Sequence, residues 1–424
     1  MRKLHIIVII TLGFNNSFSQ SPVSSWFKQP SGTTINLYSV KFSDSQTGWC
    51  VGDSGIILHT SNAGMDWTIQ SSGVNQNLKS ISFPSENIGF AVGDSGLILK
   101  TINGGNNWFV LKTGIENSLN SVFFVDESLG YTGGQSGNPV SIYKTSNGLN
   151  WDSIVVDANY IVSIFFLNSN TGWATMGSSG VVTGSFVSKT TNGGLNWTVQ
   201  YSSSVYPPIR DVFFIDTVNG WLSYKSSVSF PSILRTTNGG INWNTQFPGT
   251  GVIINSLYFT DRRNGWGVGE NSIIQATTNG GINWYNQTLV DSGKNYRSVY
   301  FVDSLLGWCV GDGGMILKTT TGGILTGFSN STSQIPDRYF LSQNYPNPFN
   351  PVTNISFGIS KQGFVSLKVY DVLGNEVSIL KNENMTAGNY ELIFDGSDLP
   401  SGMYFYRLEV DLSIIDTKRM LLLK

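Results

Sequence analysis

The chain is written in short runs of β-branched and aromatic residues, each bounded by turn-forming glycine, asparagine, aspartate or serine. Apolar and polar positions in such runs predict half-buried strands, and their brevity predicts tight turns between them. One stretch shows the plan. Asn120-Ser121-Val122-Phe123-Phe124-Val125-Asp126 predicts an innermost strand, Gly130-Tyr131-Thr132 opens a second, Ser141 to Thr145 forms a third and Trp151 to Val156 an outermost fourth. Helix is disfavoured, because no 3.6-residue periodicity is sustained and alanine, the best helix former, occurs only six times in 424 residues.

The same four-strand plan recurs, and the twelve tryptophans mark it. One position ends a turn of the form Thr-x-Asn-Gly-Gly-x-Asn-Trp and places Trp67, Trp108, Trp197, Trp243 and Trp284, with a shorter version at Trp151. A second follows a glycine at Trp49, Trp173, Trp221, Trp266 and Trp308, with Phe90 and Tyr131 filling the other copies. The seventh copy stops at Thr321-Gly322-Gly323 without its tryptophan, while Trp26-Phe27-Lys28 near the other end looks like Trp67-Thr68-Ile69. A period of roughly 40 to 48 residues with several strands per copy signals a β-propeller of seven blades. The segment at Trp26 then supplies the outer strand of the last blade and closes an otherwise open seam.

The flanks read differently. Met1-Arg2-Lys3, the apolar run Leu4 to Leu12 and Ser17-Phe18-Ser19 predict a signal peptide over 1–19. The propeller follows over 20–323, then a Ser, Thr and Asn-rich linker over 324–338. Residues 339–424 alternate in short strands such as Val365 to Tyr370 and Gly402 to Leu408, which predicts a small Ig-like β-sandwich. The fold class is therefore all-β, a seven-bladed β-propeller followed by that sandwich. Beyond the leader no run reaches the length of a membrane span. A formal charge of −2 with 12% charged residues leaves no basic patch for nucleic acid.

Two resemblances follow from these motifs. Asn344-Tyr345-Pro346-Asn347-Pro348-Phe349-Asn350-Pro351, Val369-Tyr370-Asp371-Val372-Leu373-Gly374 and Leu399-Pro400-Ser401-Gly402-Met403-Tyr404, in that order, closely resemble the type A sorting domain of the type IX (Por) secretion system. That resemblance implies the type IX machinery as a partner, a Gram-negative envelope, and a place outside the cell or on the outer-membrane surface. Lys418, Arg419 and Lys424 are compatible with the family's spaced basic ending. The ring resembles the Asp-box (BNR) propellers, and among them the photosystem II stability and assembly factor-like group. Here the box aspartate is mostly asparagine, as in Asn103, Asn192, Asn238 and Asn279. The box is a folding device, and it identifies a fold better than a ligand.

The chemistry the residues offer is narrow. Past the leader the only histidine is His59, in the repeat position held elsewhere by Lys100, Lys144, Lys189, Arg235 and Lys318, which reads as an exposed polar site on a strand. A triad, a metal centre and a cofactor are not expected, and Cys50 and Cys309 read as small buried residues. Sialidase chemistry needs three converging arginines, and only Arg210 and Arg297 share inner-strand placement. A glycosidase needs two suitably spaced carboxylates and stays open as an alternative. Asp44, Asp126, Asp216, Asp261 and Asp303 each begin a turn and read as binders of turn amides. Asp53, Asp94, Glu270 and Asp312 follow the second strand on four contiguous blades and form an acidic arc. Turn chemistry accounts for that arc, with cation or basic-partner binding as the sharper alternative. Tyr38, Lys79, Asn120, Val162, Arg210, Asn255 and Arg297 precede the repeated Ser-Val and should ring one mouth of the channel. Variable polar residues on a repetitive frame are where a ligand or partner is held. The expectation is a monomeric, non-catalytic recognition propeller for a protein or polysaccharide. An extracellular glycosidase and an assembly factor for envelope proteins are the alternatives.

Overall fold

The computed structural model describes residues 25–423 apart from 136–139, 178–183, 204–208, 226–230, 247–251, 288–292, 324–335, 337 and 345–346. The expected leader, most of the linker and Tyr206-Pro207-Pro208 lie outside the described residues. The chain divides into two compact units, Met1–Ile324 and Leu325–Lys424. Among the described residues no helix is long and apolar enough to cross a membrane.

In the first unit the described strands form seven four-stranded antiparallel sheets. Blade 1 runs Leu37–Phe42, Gly48–Gly52, Ile57–Thr60 and Thr68–Gln70, and its plan repeats from inside to outside in each blade. The innermost strand of each sheet packs on those of its two neighbours, the seventh on the first, so the ring closes. Closure joins the first and last strands of the ring, as the sequence predicts. Phe27–Lys28 pairs with Met315–Thr319 as the outer strand of blade 7, and Ser25 Oγ donates to the carbonyl of Gly323 at 2.8 Å. Trp26 is wholly buried and meets Phe301 edge-on at 5.8 Å.

The aromatic code explains the packing. At or just past the end of each blade's inner strand a phenylalanine meets the blade's box tryptophan, or Trp26 in blade 7, edge-on at 5.8 to 5.9 Å. The other face of that phenylalanine is stacked at 3.5 to 3.7 Å by the Gly-aromatic residue of the preceding blade, as Trp308 stacks on Phe42 and Trp49 on Phe83. Edge-to-face and stacked contacts each add about 0.5 to 1.5 kcal/mol beyond buried area, so the repeat is also the interblade adhesive. The glycine before each such aromatic leaves room for the ring: a Cβ on Gly48 would stand 2.5 Å from Phe42.

The box turn works through its side chains. Thr60 Oγ1 accepts from the amide of Gly64 at 2.9 Å and Asn62 Oδ1 from that of Asp66 at 2.9 Å, and Thr101, Asn103, Thr277 and Asn279 repeat the pattern. Asparagine therefore stands in for the aspartate of the Asp-box pattern without loss of the acceptor.

One sequence expectation is corrected here. The third-strand position of His59, Lys100, Lys144, Lys189, Arg235 and Lys318 is half-buried, not exposed. Lys100, Lys144, Lys189 and Lys318 lie over the aromatic rings of their own blades at 5.1 to 5.8 Å. Lys100, Lys144 and Lys189 also donate to box carbonyls of the next blade, Gly148, Gly193 and Gly239. A long side chain covers apolar surface with its stem while its head finds an acceptor, so alternation alone misjudges its exposure. Cys50 and Cys309 are free and buried in different interblade cores.

The second unit is a sandwich of a three-stranded sheet, Phe340–Leu341, Val352–Ile359 and Gly388–Asp395, and a four-stranded one, Glu376–Met385, Gly363–Tyr370, Gly402–Val410 and Ser413–Leu422. Ile355, Phe357 and Ile359 face Val365, Leu367 and Val369 in its core. The sorting motifs secure this fold. Asn344 is buried and bonds Thr353 Oγ1 at 2.9 Å, Asn347 Oδ1 accepts from the Leu421 amide, and Phe349 enters the core. Asp371 Oδ1 accepts from the amides of Leu373 and Asn375, and Tyr404 Oη donates to the Pro400 carbonyl at 2.8 Å.

Candidate functional site

The channel mouth is built by a backbone irregularity. In six blades the inner strand carries a register shift at one residue: Tyr38, Lys79, Asn120, Val162, Asn255 and Arg297 are each the extra residue between two paired ones. Arg210 lies just before the corresponding strand of blade 5, Asp211–Phe214. A bulge breaks strict alternation, so consecutive residues turn toward the axis instead of opposite faces. The rim residue and the one after it therefore both line the channel. Together they bound a cavity of about 480 Å³ lined by all seven rim residues, by Asn77, and by Ser39, Ser80, Ser121, Ser163, Asp211, Ser256 and Ser298.

Below the rim these last seven residues form a girdle. Ser39, Ser80 and Ser121 accept from the amides of Ile81, Val122 and Ile164 on the next blade at 3.0 to 3.3 Å, and Ser298 accepts from Val40 across the closure. Blade 5 departs from this rule. Asp211 takes the serine's place: Oδ2 accepts from the Leu257 amide at 2.9 Å, while Oδ1 accepts from Ser163 Oγ at 2.8 Å and from the Val212 amide at 2.9 Å. Removal from water pushes its pKa up to about 6, against the downward pull of those bonds. Asp211 was not among the expected site residues, although its signal is readable: Arg210-Asp211-Val212 stands where the other copies have serine in the middle. The bulges had no such signal.

The acidic arc meets the rim. Asp53, Asp94, Glu270 and Asp312 each open a one-turn 3-10 segment, with their amides donating to the carbonyls of Asn36, Asn77, Ile253 and Asn295. The second residue of each segment sits in the left-handed region, Ser54 at φ 54° and Gly313 at φ 68°. Their side chains bond locally: Asp53 accepts from Asn36 Nδ2 at 3.0 Å, Asp94 pairs with Lys79 at 2.7 Å, and Asp312 pairs with Arg297 at 2.9 Å. Glu270 has no such bond among the described residues. Tyr38, held by burial and its bond to Asp53, has its pKa pushed up to about 12. The arc thus braces rim side chains and contributes none of the residues lining the cavity. Asp44, Asp126, Asp216, Asp261 and Asp303 each accept two turn amides on the strand-one-to-two turn, as expected.

A closed ring of repeated four-stranded sheets with a polar mouth defines a β-propeller. Residues 18–206 and 242–326 match the family described as photosynthesis system II assembly factor YCF48, and the chain belongs to it. Residues 343–422 match the secretion system C-terminal sorting domain, which directs type IX export to the cell surface or the extracellular space. Among solved structures, YCF48 from Cyanidioschyzon merolae is 22% identical with a TM-score of 0.58, over 70% of this chain and 99% of that one. A YCF48 bound to D1 peptide is 21% identical with a TM-score of 0.57, over 70% and 98%. The WD40 propeller domain of Doa1 is 13% identical with a TM-score of 0.54, over 69% and 96%. These likenesses show the fold. No curated protein matches the chain at a significant level.

Proposed function

We propose that the ring is a non-catalytic binding module for a polypeptide, carried outward by its sorting tail, with the channel mouth as the binding surface. The observation that supports this reading most directly is the bulged rim: variable side chains project from a framework whose other positions repeat from blade to blade. The related YCF48 that carries a D1 peptide favours a polypeptide over a polysaccharide. A glycosidase needs two carboxylates. Among the described residues lining the cavity only Asp211 carries one, and its oxygens are engaged. Family membership supports the narrower possibility that the bound polypeptide is a client being assembled in the envelope.

The test uses the full chain, immobilised against a detergent extract of its own envelope, beside Val162→Trp, which fills the mouth without deleting a hydrogen bond. Wild type should retain a polypeptide that the variant loses, and neither should release reducing sugar from envelope polysaccharide. Equal recovery by both proteins would remove the mouth from consideration, and sugar release by wild type would favour the glycosidase.

A further inference from the structure

We propose that the mouth recognises a carboxylate on an extended polypeptide, with Arg210 as its anchor; this rests on the binding reading above. The rim holds three cations, and two are already neutralised. Lys79 lies 2.7 Å from Asp94 and also donates to Asn120 Oδ1. Arg297 lies 2.9 Å from Asp312 and over the Tyr38 ring. Arg210 differs. Its main-chain amide donates to the Ser223 carbonyl, but its guanidinium makes no hydrogen bond or ion pair among the described residues, and Nε is shut off from solvent.

The adjacent acid does not relieve it. Asp211 spends both oxygens on Ser163, Val212 and Leu257, so a carboxylate stands next in sequence and leaves Arg210 unpaired. A buried guanidinium donor without an acceptor is unfavourable, and any occupant that supplies one gains that bond. The planar fork of a guanidinium matches the two oxygens of a carboxylate. Phosphate shares that fit, but it would bring a second negative charge beside Asp211, which lines the same cavity, whereas a carboxylate brings one. The Asn120 and Asn255 amides donate to the carbonyls of Ile161 and Tyr296, which leaves a second amide proton on each and the Asn255 oxygen at the mouth for a peptide backbone. A volume of about 480 Å³ suits a chain end or loop tip and excludes a folded domain.

Three randomised octapeptide pools test this on the full chain: acid-free with a free C-terminal carboxylate, acid-free and amidated, and amidated with one glutamate. Wild type should bind a carboxylate-bearing pool roughly tenfold or more tightly than the acid-free amidated pool. Whichever of the two carboxylate pools prevails identifies its source as a chain terminus or a side chain. Arg210→Gln should lose the preference while keeping the wild-type melting temperature, and Arg210→Lys should keep part of it. Equal binding of all pools by wild type, or a preference that survives Arg210→Gln, would overturn the proposal and leave peptide binding intact. Failure of wild type to hold any pool would overturn both.

Discussion

Asp211 occupies a position where the other six blades carry serine, and the exchange has a cost that depends on pH. Its pKa rises from 3.8 to about 6 on folding because burial disfavours the anion. The group therefore contributes its stability below about pH 4, where both states are protonated, and that contribution is lost as pH rises through about 6. Relative to Asp211→Ser, wild type should therefore lose on the order of 2 kcal/mol of stability as pH rises from about 4 to 7, whatever the fixed offset from the hydrogen bonds that serine cannot make. Melting curves across that range check this, and a difference that stays constant with pH would refute it. Asp216 acts in the opposite sense. Burial opposes its ionisation, but the Asn219 and Val218 amides and the Arg262 guanidinium outweigh burial and hold its pKa at about 2, so its contribution fades only in strong acid. Comparing wild type with the variant at each pH cancels such groups.

The strands and turns show how far local pattern reaches. The box turn, the Gly-aromatic step and the turn aspartates were readable because each is satisfied by atoms within a few residues. Trp26 was readable because it is the missing member of a repeated set. Trp26→Ala should destabilise the ring by about 3 to 5 kcal/mol, since it empties a fully buried site beside Phe301. Ile282→Ala, at an exposed box position, should change stability by no more than about 0.5 kcal/mol. Equal melting temperatures for these two variants would refute the seam. In the sandwich, Tyr406 Oη donates to the Ser342 carbonyl and accepts from the Asn344 amide, so Tyr406→Phe leaves both unmet. It should lower the tail's unfolding transition by about 1 to 3 kcal/mol without moving the ring's, as separate calorimetric transitions would report. The half-buried third-strand lysines and the rim bulges were not legible in this way, because both depend on what the neighbouring blade or strand offers.

At the scale of the whole molecule, two compact units divide the work. The sandwich carries the export address, and the ring carries the proposed recognition surface. Deleting residues 343–422 should leave a ring that folds but no longer reaches the cell surface or medium, which fractionation with an antibody against the ring would show. Surface display of the shortened chain at wild-type levels would contradict that division. Within the ring, three turns of the acidic arc are tied to the following blade, since Asn77, Asn295 and Asn36 accept from the amides of Ser54, Asn271 and Gly313.

The blade plan, the seven-fold period, the closure at Trp26 and the sorting tail were determined by sequence alone. Each rests on short-range turn chemistry or on a side chain whose counterpart recurs at fixed spacing. Which cation at the mouth stays unpaired was decided only by the tertiary structure. Lys79, Arg210 and Arg297 are equivalent by position, yet two of them face an aspartate that follows their own blade's second strand, and among the described residues Arg210 faces none. Side-chain pairing is set by distances of a few ångströms between turns that are remote from the strand's own pattern. A repeat specifies where a residue stands, and the fold specifies what stands opposite it.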